Sequence, residues 1–240
     1  MDQLNNLGDE RQVAFCAHCG SGDTETRDHV PSRVLLDEPF PDNLPVVAAC
    51  RVCNEGVSDD EEYVACLVEC ARAGSVAVED LERAKIKRLL TEKPKLAARL
   101  ADAYSGAGRA GRFVVEPERI RSVLLKLARG HALFELNEPQ TDEPSSLFFA
   151  PLASFSRAAR ERFESPPARV FWPEVGSRGM QRLATSPTRT PQWLVVQPGR
   201  YRYLTYVDGS VVIRVVLSEC LACEVVWTPD WQTAPERHEG

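Results

Sequence analysis

The sequence is short of several things, and each shortage removes a class of protein. No stretch of about 18 apolar residues exists, so no membrane-spanning helix is expected. Residues 1–10 are polar and acidic, with neither a basic start nor an apolar run, so no secretory leader is read there. There is no internal repeat and no long low-complexity tract, which excludes solenoid and fibrous architectures. Net positive charge is also lacking. The 240 residues hold 29 Lys+Arg against 35 Asp+Glu, a net charge of -6, which excludes polyanion binding through global charge. Lysine is absent from the first 84 residues.

What is present is a globular composition, 43% hydrophobic and 27% charged, and a strongly segregated charge. Residues 1–75 carry 5 basic and 15 acidic residues (-10), residues 76–135 carry 13 and 8 (+5), and residues 136–240 carry 11 and 12 (-1). Eight cysteines without a leader point to a reducing, cytoplasmic setting, where paired cysteines serve metals more often than disulfides.

Residues 12–57 are rich in turn formers and hold two Cys-x-x-Cys pairs, Cys16/Cys19 and Cys50/Cys53, thirty residues apart. Two such turns can complete a closed tetrahedral four-sulfur site, so a structural zinc ion is expected to hold a segment too polar to fold by core burial alone. Ser58 followed by Glu61 reads as a capping box, four acidic residues fill the first turn, and Gly74 stops that helix. Residues 79–104 read as helices broken at Pro94, residues 106–111 as a glycine-rich loop, and residues 117–130 as a helix entered at Pro117 and ended at Gly130. On that last helix Ile120, Val123, Leu124 and Leu127 form the apolar face; Arg119, Ser122, Lys126 and Arg129 form the other. Residues 137–146 and 165–191 read as connections. Residues 193–196, 202–207, 211–217 and 221–227 read as strands, with Asp208-Gly209 as a hairpin turn. Cys66 and Cys70 read as small buried hydrophobes. Cys220 and Cys223, in an apolar strand-like run, would point to opposite faces.

Between the two cysteine pairs lies Asp28-His29-Val30-Pro31, then Asn43-Leu44, and Asn54 directly follows Cys53. The order Cys-x-x-Cys, Asp-His-x-Pro, Asn-Leu, Cys-x-x-Cys-Asn over residues 12–70 resembles the HNH endonucleases, which have the ββα-metal (His-Me finger) fold. The resemblance implies His29 as general base, Asp28 and Asn54 as ligands of a catalytic Mg²⁺ or Mn²⁺, Asn43 as a brace behind the histidine, and Cys16, Cys19, Cys50 and Cys53 as zinc ligands. It implies hydrolysis of DNA to 5′-phosphate and 3′-hydroxyl ends. The chemistry is coherent: an imidazole that titrates near neutrality can deprotonate water, and a hard cation on a carboxylate and an amide oxygen can polarise a phosphate. The residues after Asn54 lack the lysine that many members carry.

The expected fold is α+β, in three segments. Residues 1–75 form the nuclease finger, residues 76–136 a basic helical region, and residues 137–240 an antiparallel β region of unassigned role. Candidate phosphate contacts are Arg33 and Arg51 in the finger, and Lys85, Lys87, Arg88, Arg119, Lys126 and Arg129 in the basic segment. Two other functions compete with a DNA endonuclease: a zinc-bearing module that binds nucleic acid or protein without cutting, and a nuclease subunit that needs a partner protein for substrate delivery. The β-rich end also leaves room for pairing with a second copy.

Overall fold

The computed structural model describes residues 14–106 and 111–229. The fold is α+β. Among the described residues no helix is long and apolar enough to cross a membrane.

The chain opens with the knuckle of Cys16 and Cys19, then a short antiparallel hairpin of β1 (Thr26–His29) and β2 (Val46–Ala49), in which Asp28 lies opposite Val47. Helix α1 (Arg51–Glu55) follows directly, with Cys50 as its N-cap: the Cys50 sulfur accepts from the Cys53 N–H. Helix α2 (Ser58–Ala73) comes next and ends at Gly74, whose φ of 66° is a left-handed stop that glycine permits at no steric cost. Val57, not Ser58, is the N-cap of α2, and no side chain caps it. The expected capping box is absent because Glu61 is turned inward, where it meets Ser32 and Lys126.

Helices α3 (Ala84–Glu92) and α4 (Pro94–Ala103) meet at the expected proline break. A two-residue ladder, β3 (Tyr104–Ser105) with β4 (Arg112–Phe113), was not expected; most of the glycine-rich loop it flanks, residues 107–110, lies outside the described residues. Helix α5 (Pro117–His131) runs past Gly130 into one π turn, Ala132–Leu136, and ends on Asn137 at φ 59°. Gly130 is thus interior to the helical run. It serves close packing instead, because Val30 fills the space where its side chain would be.

Five strands form the C-terminal antiparallel sheet, β5 (Ser146–Pro151), β6 (Leu194–Gln197), β7 (Tyr201–Val207), β8 (Val211–Leu217) and β9 (Leu221–Trp227), in the order β5-β9-β8-β7-β6. The Asp208-Gly209 turn joins β7 to β8 as expected, with Gly209 at φ 103°. Strand β5 and the short helices α6 (Arg157–Glu164) and α7 (Arg178–Thr185) arise within or beside segments read as connections. β8 is buried along nearly its whole length; its Arg214 reaches across to Glu224 on β9 at 2.6 Å. One hydrophobic core joins the finger (Val30, Val47), α2 (Tyr63, Cys66), α5 (Ile120, Leu124) and the sheet (Tyr203, Ile213). Cys66, Cys70 and Cys223 lie in it, and burial pushes the Cys66 and Cys70 thiols up to about 12.

A clasp fastens the finger to the sheet. Asp37 binds Arg83 Nε at 2.6 Å and Arg200 Nε at 2.5 Å, and Gln197 spans its backbone, accepting from the Asp37 N–H and donating to its carbonyl. Burial of Asp37 alone would raise its pKa, but the Arg83 and Arg200 contacts outweigh it and hold the carboxyl below its usual range.

Candidate functional site

The knuckle is shaped by local backbone. Cys16 N–H donates to Ser21 O and Gly20 N–H to Cys16 O, closing a turn, while Ala17 N–H donates to Ala48 O and docks that turn on β2. The sulfurs of Cys16, Cys19, Cys50 and Cys53 all lie within 4.8 Å of one another, and Cys19 and Cys50 are 3.8 Å apart. Four sulfurs at tetrahedral corners around an ion at ~2.3 Å would sit about 3.8 Å apart, so this set can hold a metal ion such as zinc. Burial, then the Cys50 and Cys19 sulfurs, push the Cys53 thiol above its ordinary value.

His18, between the two knuckle cysteines, is not a spacer. Its ring is buried, and Nε2 lies 2.9 Å from Asp28 Oδ2. A carboxylate oxygen can only accept, so Nε2 carries the proton. Lys126 Nζ lies 3.2 Å from the same Oδ2, 2.8 Å from Glu61 Oε1, and donates to the Asn54 carbonyl at 3.3 Å. Ser32 Oγ donates to Glu61 Oε1 at 2.5 Å. Asp28 is therefore a buried carboxylate pinned through one oxygen, with Oδ1 left over. Asn54 is arranged likewise: its Nδ2 donates to Thr26 Oγ1 at 3.1 Å and to Arg27 O at 3.4 Å, leaving Oδ1 as the free acceptor.

Asp28, His29 and Asn54 line one open groove of 320 Å³, with Arg27, Arg33 and Glu61 on its walls. Alternation along β1 buries Asp28 and leaves His29 half-exposed. The His29 ring makes no hydrogen bond among the described residues. Burial, then the Arg33 guanidinium, push its pKa below the ordinary value, against the opposite pull of Asp28. The ring is thus neutral near pH 7, with a nitrogen able to accept a proton. Asn43 lies half-buried in the loop before β2, outside the residues lining the groove.

The basic segment is largely spent inside the molecule. All four acids of the first turns of α2 meet a cation from it: Asp59 and Glu62 meet Lys93, Asp60 meets Arg119 at 2.5 Å, and Glu61 meets Lys126. Lys126, expected on an exposed stripe, has a side chain only 5% accessible, because α5 is covered on both sides. Arg119 stacks on Tyr63 with its guanidinium 4.4 Å from the ring centre. Arg129 donates to the Thr141 and Asp142 carbonyls. Lys85 donates to Arg33 O and lies over Phe40, Lys87 donates to Glu79 O, and Arg51 pairs with Glu55 at 3.6 Å. Arg88 is exposed and makes no ion pair among the described residues. At the groove the cations without an ion pair among the described residues are Arg33 and Arg27, of which the sequence reading singled out only Arg33. Arg27 carried a signal: it directly precedes Asp28-His29, and in a strand it shares the His29 face.

No protein-family model, no curated protein and no solved structure matches this chain.

Proposed function

We propose that this chain is a metal-dependent endonuclease of the HNH type that hydrolyses DNA phosphodiester bonds, with zinc in the four-cysteine cluster. One observation carries the reading: an unencumbered imidazole and the free oxygens of Asp28 and Asn54 border a single groove behind that cluster. The donors suit a hard cation, being one carboxylate and one amide oxygen, each on a side chain whose other atom is already fixed. When bound there, Mg²⁺ or Mn²⁺ supplies charge stabilisation for the phosphate and the leaving oxygen. His29 accepts the proton of the attacking water. Arg27 and Arg33 bind the phosphates that flank the scissile one. The closed sulfur set gives zinc a structural role: it fixes the knuckle, and with it His18 and the orientation of Asp28.

The internal pairing of the basic segment favours a second reading, a nuclease subunit to which a partner delivers the polynucleotide. Incubating the zinc-loaded protein with supercoiled plasmid and Mg²⁺ or Mn²⁺ separates the two. Nicking that EDTA abolishes and that His29→Ala reduces by roughly 10²–10⁴-fold is the expected result. Cutting unchanged in His29→Ala refutes the assignment of the base. No cutting in any chain favours the subunit reading. Elemental analysis of native protein should find one zinc per chain, and absence of zinc removes the four-cysteine clamp from the scheme.

A further inference from the structure

The reading above makes Asp28 and Asn54 the protein's donors to a divalent cation, and the following inference rests on it. Helix α5 places one buried positive charge beside both donor residues. The Lys126 ammonium contacts Asp28 Oδ2 and the main-chain carbonyl of Asn54, and its third partner is Glu61. We propose that Lys126 is a built-in counter-ion of this site, and that it keeps the affinity of the free protein for divalent cations low.

A like charge within about 4–6 Å of a bound cation opposes it, and burial weakens the screening that would soften this. Lys126 is 5% accessible and cannot swing away to water. Without it, Asp28 and Glu61 would leave two buried carboxylates facing the groove with no ammonium between them. With it, the protein offers a cation two oxygens and little net attraction. The remaining coordination and charge must then come from the phosphate, so cation and polynucleotide enter together.

The test is Mn²⁺ binding to the zinc-loaded full chain, read from the loss of the free Mn²⁺ paramagnetic resonance signal. Lys126→Met should bind Mn²⁺ at least about tenfold more tightly than the natural chain, and adding Asp28→Asn should abolish that gain. Zinc content and circular dichroism check that the variant is folded. Where Lys126→Met alone does not fold, Lys126→Gln, which removes the charge but keeps an N–H donor for Asp28 and Glu61, carries the same expectation. Binding unchanged or weaker in the folded variant, with Asp28-dependent uptake in the natural chain, overturns the counter-ion role and leaves the nuclease reading standing. No Asp28-dependent uptake in any chain overturns both.

Discussion

Replacing Gly130 by alanine sets two effects against each other, and the structure decides between them. In an accessible helix interior the exchange stabilises by roughly 0.5–1 kcal/mol, since glycine loses the most backbone freedom on folding. At Gly130, however, a Cβ would lie 2.6 Å from Val30 Cγ2 and 3.0 Å from Cγ1. Val30 is 1% exposed, its N–H is held by Pro45 O at 2.9 Å, and its β-branched side chain has little rotamer freedom. The clash cannot be relieved by swinging a distal atom, so α5 or the end of β1 must move. Overpacking of this kind costs about 1–3 kcal/mol, so the net effect is a loss of up to about 2.5 kcal/mol. For a chain of this size that lowers Tm by up to about 10 °C. Urea unfolding followed by circular dichroism measures it. Pairing Gly130→Ala with Val30→Ala should show a favourable coupling, since the second change removes the colliding atoms. A variant stabilised by about 1 kcal/mol would refute the close-packing account. Because Val30 adjoins His29, plasmid cutting should fall by more than the stability change explains.

Asp37→Ala leaves Arg83, whose side chain is 2% accessible, without its carboxylate; a loss of roughly 3–5 kcal/mol is expected from urea unfolding, and a loss under about 1 kcal/mol would show the clasp to be unimportant. His131 is fully buried, which pulls its pKa down from 6.5 to about 3; Nε2 meets Tyr201 Oη at 2.8 Å. Its folded pKa lies below its unfolded one, so this contribution to stability is complete above pH 6.5 and is lost as pH falls toward 3. Between pH 7 and pH 5 the natural chain should lose about 2 kcal/mol from this group, and His131→Phe should lack that slope. Equal slopes in the two chains would reject the assignment.

Local chemistry was readable wherever the signal is local. Cysteine spacing located the metal-capable cluster, Gly74 and Pro94 marked helix ends, and Asp208-Gly209 marked the β7–β8 turn. Partners distant in sequence were not readable. Periodicity places Lys126 opposite the Ile120–Leu127 face, yet that side of α5 is also covered, and its partners Asp28 and Glu61 come from the finger and α2. Nothing near His18 in the sequence names Asp28 as its acceptor. Ser58 and Glu61 match a cap by spacing, but tertiary contacts recruit Glu61 elsewhere. The segregated charge suggested a surface for polyanions, whereas folding brings the two blocks of opposite sign into contact. The single π turn after α5 left no local mark in its sequence.

That mutual neutralisation has a practical consequence for anyone excising the first 75 residues as a portable cutting cassette. Such a fragment would strand four carboxylates on one helix end and strip the cover from Tyr63, Cys66 and Leu67, which the rest of the chain now shields from water. Its register of charges is completed only by the later helices. Grafting experiments should therefore carry the chain through Asn137 at least, and any redesign of the acids of α2 should change their cationic mates with them.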